Sequence, residues 1–385
     1  MLLQHPVLTI VVMAQWNRCA VLRVGANMSS ITSHPTNERF TDHIEFGIHT
    51  FGDVTVDVNG QRLGYAQVLR NVVAEGVLAD QVGLDVIGVG EHHRPDYAIS
   101  APDVVLTAIA AQTSVVKLIS AVTVLSSDDP VRVYERFATL DAISGGRAEV
   151  SLGRGSFIES FPLFGFELKD YEQLFSEKLD LFSHLRREDP VTWSGTTRSG
   201  LSEQSIFPTT EHEYGLPTWV AVGGTPESVV RAARYGFGLE LAIIGGQPAR
   251  FAPFAELFHE ALAEFGHAER RIAIHGHGFI ASTDDEAKDR YWPHWEASMR
   301  QLGKERGWAP PTRARFEAEA DSGALHIGSP ETVARKMAST ISALGATRFG
   351  MKYGNGTLPH EDMMSAIELY GTSAKPMVLD MLSGS

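Results

Sequence analysis

The chain has 385 residues, 43% hydrophobic and 21% charged, the proportions of a soluble globular protein with a sizeable core. Its formal charge of −14 argues against a nucleic-acid or anionic-membrane partner, since both call for basic surfaces. A single cysteine, Cys19, excludes an intrachain disulfide and a cysteine-based metal centre, and fits a cytoplasmic location.

Residues 1–43 read apart from the rest, as a leader or a stretch upstream of a true start at Met28. Within them, residues 7–14 are apolar but too short to span a bilayer and lack a preceding basic region. From Ile44 a regular alternation begins. Residues 44–50 (IEFGIHT) predict a strand, and 65–82 space Val68, Leu69, Val72, Val73, Val77 and Leu78 at helical intervals before Gly83. Residues 84–89 form a second apolar run, broken only by Asp85, which ends at Gly90 and passes abruptly into Glu91, His92, His93 and Arg94. A helix over 101–113, a strand over 116–125, a helix over 131–143 and a strand over 147–153 follow. Next come an amphipathic helix over 171–187 and an irregular excursion over 188–216 with short strand signals.

The second half repeats the theme. Strands are expected over 217–223, 239–244, 271–281 and 347–353. Helices are expected over 226–235, 248–265, from the seventh strand to about residue 306, and over 329–344 and 359–371. Residues 309–325 read as a polar connection and 374–385 as a C-terminal tail. Strands that alternate with helices pair in parallel, because parallel neighbours need crossover connections. Eight such units over 44–373 close naturally as one (β/α)8 TIM barrel, an α/β fold whose site lies at the C-terminal strand ends, with insertions on that face. An open doubly wound sheet is disfavoured, because no Gly-x-Gly-x-x-Gly follows the first strand.

Closing the barrel gathers the strand ends. They supply His49 and Thr50; Glu91, His92 and His93; Ser120, Thr123 and Ser126; Gly153, Arg154 and Gly155; Gly223, Gly224 and Thr225; Gly245 and Gly246; His275 and His277; and Lys352 and Tyr353. Gly-Gly-Thr-Pro-Glu-Ser opens a helix, so free N–H groups and the Thr225 and Ser228 hydroxyls can surround an oxyanion. Arg154, between two glycines, can grip the same group bidentately.

The segments EHHRPDY, SAVTVLSSDDPVRVYERFATLDAISGGRAEVSLGRGSFIESFPLFG and VAVGGTPESVVRAARYG together resemble the bacterial luciferase-like flavin-dependent monooxygenases. The resemblance runs from about residue 44 to 371. It implies a TIM barrel, usually a homodimer, that uses reduced FMN (F420 in one branch) and O2 through a flavin C4a-hydroperoxide. Electrons then come from NAD(P)H directly or through a partner flavin reductase. It further implies that Arg154, Gly224, Thr225 and Ser228 hold the FMN phosphate and that His92 stands beside the reacting flavin. The strand over 116–125 then backs the isoalloxazine, with a non-proline cis peptide expected within 120–122. Thr50, Ala121, Thr123, Gly223 and Gly245 complete the expected cofactor contacts, and Glu91 and His93 the expected catalytic group. One departure matters: luciferases place a reactive cysteine before the phosphate arginine, whereas this chain has Gly153. A flavin monooxygenase or reductase-type enzyme acting on a small, partly apolar substrate is therefore expected, rather than light emission.

Other readings compete for single residues. His92 is either an acid–base group or a structural imidazole; Glu91 orients His92 or pairs with Arg94; Arg154 pairs with Glu149 or Glu159 if it does not bind phosphate. His92 and His93 with His275 and His277 could ligate a metal in a hydrolase on the same barrel. No carboxylate stands beside the His-x-His pair on its own strand, so no metal is expected. A non-catalytic flavin-binding barrel is the third reading. Glu240 is either a layer-filling polar residue or a partner of Lys352, and Phe157, Phe161, Phe164 and Phe166 either wall a substrate pocket or pack a loop or dimer contact.

Overall fold

A computed structural model describes residues 44–57 and 59–383, so the expected leader lies outside the described residues. Twelve strands and twelve α-helices are described. The strands are β1 Glu45–Thr50, β2 Val86–Val89, β3 Lys117–Ser120, β4 Thr123–Val124, β5 Ala148–Gly153, β6 Val191–Trp193, β7 Leu201–Gln204, β8 Thr218–Val222, β9 Gly238–Ile243, β10 Ile272–Ile280, β11 His326–Gly328 and β12 Arg348–Lys352. The helices are α1 Tyr65–Gln81, α2 Pro102–Ala110, α3 Pro130–Ser144, α4 Ser160–Leu163, α5 Tyr171–Leu185, α6 Pro226–Arg234, α7 Ala252–Glu264, α8 Asp284–Arg306, α9 Arg313–Asp321, α10 Pro330–Leu344, α11 His360–Leu369 and α12 Lys375–Ser383.

The ring runs β1–β2–β3–β5–β8–β9–β10–β12 and returns to β1, all in parallel, which closes the expected eight-stranded (β/α)8 barrel. Each predicted strand is present. The third is interrupted: the Ala121–Val122 peptide is cis, within the stretch where the resemblance placed one, and β4 then pairs with β5 beyond it. The 188–216 excursion carries the antiparallel hairpin β6–β7. It is anchored where Trp193 donates to Asp180 of α5 at 2.8 Å and the Glu211 N–H to Asp141 of α3 at 2.8 Å.

Side-chain alternation along each strand divides the core. On β1, Phe46 and Ile48 face outward, where Phe46 meets Tyr370 edge-on at 6.5 Å. Glu45, Gly47 and His49 face the bore. Helix starts follow ordinary capping: Asp129 accepts from the N–H groups of Val131 (2.9 Å) and Arg132 ahead of Pro130, and Gly145 ends α3 in the left-handed conformation.

The N-terminal end of the bore is closed by charge. Buried Arg348 donates to Glu45 (2.7 Å) and bidentately to Glu149 (2.7 and 2.9 Å), and its guanidinium lies 4.4 Å over the Trp219 ring. The Trp219 indole donates to Glu149 at 2.7 Å, while Lys117 and Arg271 reach Glu45 at 2.7 and 3.0 Å. Every lone pair taken from water here has a donor, which is what makes buried charge tolerable.

Two segments differ from expectation. Residues 309–325 contain α9, capped by Thr312, whose hydroxyl accepts from the Arg315 N–H at 3.2 Å. Only Phe316 and Ala320 of α9 are buried, so its periodic signal is thin. Residues 375–383, in the stretch read as a tail, form α12 with Val378 buried. Among the described residues no helix is long and apolar enough to cross a membrane.

Candidate active site

The C-terminal strand ends form the mouth of the barrel. His92 follows β2 and sits in an aromatic box, with Tyr97 at 4.4 Å, Phe51 edge-on at 4.7 Å and Phe157 at 5.2 Å between ring centroids. Burial pushes its pKa down to about 3, aided by the charges of Lys352 and Arg94 and opposed by Asp53. At neutral pH the imidazole is therefore uncharged. It can accept or relay a proton but does not rest as an imidazolium.

Glu91 does not orient His92. One carboxylate oxygen contacts His93 Nε2 at 2.8 Å and the other accepts from the Val124 N–H at 2.9 Å, so it pins His93 and the displaced end of the third strand. His93 turns toward Phe164, 5.0 Å away and edge-on. Arg94 is taken by Asp96 (3.1 Å), Glu305 (2.6 Å) and Glu159, and lies 4.3 Å from the Phe157 ring. That cluster ties the β2 and β5 loops to α8 over the mouth.

Across the mouth, Arg154 and the start of α6 come together as expected. Arg154 Nη2 reaches Ser228 Oγ at 3.3 Å, and the Thr225 hydroxyl donates to the same oxygen at 2.8 Å. Neither Glu149 nor Glu159 pairs with Arg154. Its partner is Glu172, at 2.9 Å in the first turn of α5, which also pairs with Arg231. Arg231 and Glu172 were not legible as site residues, because neither lies at a strand end. Gly224 adopts φ +109°, a conformation that favours glycine, and a Cβ at Gly223 or Gly245 would meet nothing within 4 Å. Open space therefore stands over both strand ends.

Ala121, immediately before the cis bond, is buried and faces the bore. The buried Thr123 hydroxyl has no hydrogen-bond partner, an orphan facing no protein acceptor. Thr50 does not join the mouth. It shares the outward register of Phe46 and Ile48, accepts from the Gly52 N–H at 3.1 Å and lines a small cavity with Val72, Glu75 and Met363. A side chain at Gly153 would collide with Val122, its Cβ coming within 2.7 Å of Cγ2. A cysteine there would need the neighbouring chain to move.

Lys352 pairs with Asp53 at 2.9 Å and stands 4.9 Å from the Phe51 ring, so it is not the partner of Glu240. The four histidines of the hydrolase reading do not converge: His92 is in its aromatic box, His93 is held by Glu91, and His275 is hydrogen-bonded to His49 in the bore. An anion cradle, an orphan hydroxyl, open space over glycines and a neutral imidazole are features that fit FMN.

A family model described as luciferase-like monooxygenase matches residues 44–348. The chain is 29% identical over 227 residues to an N-acetyl-S-alkylcysteine monooxygenase of Bacillus subtilis, covering 58% of this chain and 65% of that protein. Its fold is similar to the monooxygenase RslO1 of Streptomyces bottropensis, with a TM-score of 0.75 and 23% identity over 86% of this chain and 99% of that one. It is also similar to the oxygenating constituent of 3,6-diketocamphane monooxygenase from Pseudomonas putida, solved with FMN, with a TM-score of 0.67 and 19% identity over 86% of this chain and 98% of that one. The chain belongs to the luciferase-like monooxygenase family.

Proposed function

We propose that the protein oxidises a small, partly apolar organic molecule with O2 and reduced FMN, and that FMN is used ahead of F420. The observation that carries this reading is the convergence of Arg154, Thr225 and Ser228 at the start of α6, opposite an aromatic-boxed His92. In this reading Arg154 supplies charge-assisted hydrogen bonds to the phosphate, and the Thr225 and Ser228 hydroxyls and free N–H groups of α6 complete the cradle. Glu172 swings aside on binding, since it is more than half exposed. When bound in reduced form, FMN supplies the activation of oxygen.

The chain's own residues then have separate tasks. Phe51, Tyr97 and Phe157 exclude water from around His92. The His92 imidazole, uncharged at neutral pH, accepts a proton from the substrate or holds a hydrogen bond at the reacting centre. Glu91 and His93 fix the wall behind it. Phe157 and Phe164 give the pocket an apolar side. Reduced FMN is delivered from NAD(P)H, directly or by a partner reductase, and the working form is a homodimer in the cytoplasm.

The test is oxygen consumption by the purified protein with reduced FMN across candidate substrates, beside the same assay with reduced F420. Substrate-dependent uptake with FMN that His92→Ala lowers about 100-fold or more supports the reading. Uptake with F420 alone, or substrate turnover without either cofactor, overturns it.

A further inference from the structure

Below the mouth, the bore holds a polar layer with no part in the scheme above. His49 from β1 and His275 from β10 face each other through Nδ1 atoms 2.7 Å apart, although they lie 226 residues apart in sequence. Glu240 from β9 presents Oε1 3.7 Å from His49 Nδ1, and its other oxygen accepts from the Ser151 hydroxyl at 2.5 Å. All three side chains are buried, and one donor atom from each lies within 4.8 Å of the other two. The ring of His49 fits because Gly88 and Gly350 flank it, and a Cβ at either would collide with the imidazole. Its Nε2 has no hydrogen-bond partner.

We propose that His49, Glu240 and His275 form a binding site for one divalent transition-metal ion, zinc being the probe, which clamps β1, β9 and β10 beneath the active site. The donor set, two imidazoles and a carboxylate, is one that zinc takes. His275 lacks a carboxylate on its own strand, but the parallel register sets Ala242 opposite it and so brings Glu240, two residues earlier and on the same face, into the bore. The partner histidine is His49, not His277. Without an ion the layer is poorly matched. The two facing Nδ1 atoms share one proton in a hydrogen bond, but His49 Nε2 has no partner and Glu240 has only the Ser151 hydroxyl within hydrogen-bond reach.

Protonation fits the same picture. Burial, with Arg348 and Lys352 nearby, holds both imidazoles uncharged, the form that ligates, and burial raises the pKa of Glu240. Ligation needs both Nδ1 lone pairs, so the one Nδ1 proton moves to Nε2 of its ring. Zinc–nitrogen distances near 2.0–2.1 Å in tetrahedral geometry require the two Nδ1 atoms to part by about 0.6 Å. Phe51 stacks on His275 at 5.8 Å and 8°, separating this layer from His92. The ion's role is therefore structural, and the site stands or falls independently of FMN use.

Untagged protein is produced with zinc supplied, and, because Phe51 covers the site, a second sample is refolded from denaturant with a chelator and titrated with Co²⁺ during and after folding. The expected results are about one zinc per chain and the visible absorption of protein-bound cobalt, both lost in Glu240→Gln and His275→Asn. The near-isosteric variants guard against a folding defect, and if either fails to fold, the wild-type zinc content and cobalt spectrum decide alone. Zinc well below stoichiometric with no cobalt spectrum overturns the proposal, as does undiminished uptake by folded variants.

Discussion

Replacing Arg348 by methionine removes the guanidinium that closes the bore and leaves its aliphatic volume in place. Three hydrogen bonds to carboxylates of 2.7–2.9 Å are lost at once, along with the contact with Trp219. Breaking a buried pair by removing one partner costs about 3–5 kcal/mol, because the remaining charge is left uncompensated. Lys117 and Arg271 still reach Glu45, whereas Glu149 keeps only the Trp219 indole and Lys117 at 3.4 Å. The lower end, about 3 kcal/mol, is therefore expected, or roughly 6–12 °C in Tm at 2–4 °C per kcal/mol. The pH dependence separates this from loss of packing. In the wild type burial pushes the Glu149 pKa up, but the charge and hydrogen bonds of Arg348 outweigh it and hold the group down to about 2. A carboxylate depressed on folding contributes stability above its unfolded pKa of about 4.3 and loses it as the pH falls through the folded value. Without Arg348 that sign reverses: burial favours the neutral acid, so the variant loses stability as the pH rises from 4 to 7. Thermal unfolding of both proteins across pH 3–8 measures this. A Tm change under about 2 °C, with parallel pH profiles, would refute the reasoning.

Three further outcomes are expected at the site. His92→Ala should lower turnover by about 10²–10⁴, the range for a positioned proton-transfer group, with FMN affinity little changed; steady-state and binding assays compare the two. Gly223→Val should leave Tm within about 2 °C, because its Cβ meets nothing, yet weaken FMN binding by occupying the space over β8. Equal affinity by fluorescence titration would place the flavin elsewhere. Glu172→Gln should tighten FMN binding about 2–5-fold by removing the carboxylate that competes for Arg154 and Arg231, an effect of the size of an exposed ion pair. Weaker binding would mean that Glu172 positions Arg154 rather than competing for it.

The barrel was legible because most of its strands are short, largely apolar runs bounded by glycine, proline or polar residues, and helices such as α3, α5 and α10 have a broad buried face. Helix α9 was not, since two buried residues in nine leave almost no period to read. At the site, Arg154, Gly224, Thr225 and Ser228 were readable from local chemistry: an arginine between glycines and a helix start. The partners were not. Arg348 with Glu45, Lys352 with Asp53 and His49 with His275 lie 303, 299 and 226 residues apart, and only the register of the closed barrel brings them together. Thr50 shows the opposite limit. A strand-end position was correct, but alternation sends its side chain toward α1. His92 shows a third: its position was readable, its charge state was not, because Tyr97 and Phe157 set the burial that depresses its pKa.

The most direct measurement is the affinity for FMN of the wild type beside Arg154→Ala, by fluorescence quenching or equilibrium dialysis at fixed ionic strength. If Arg154, Thr225 and Ser228 hold the phosphate, the variant should bind about 30–1000-fold more weakly, the 2–4 kcal/mol expected for truncating one partner of a hydrogen-bonded charge pair. Binding of riboflavin, which lacks the phosphate, should be unaffected. Equal FMN affinity in the two proteins, or an equal loss of riboflavin binding, would contradict the phosphate assignment on which the account rests.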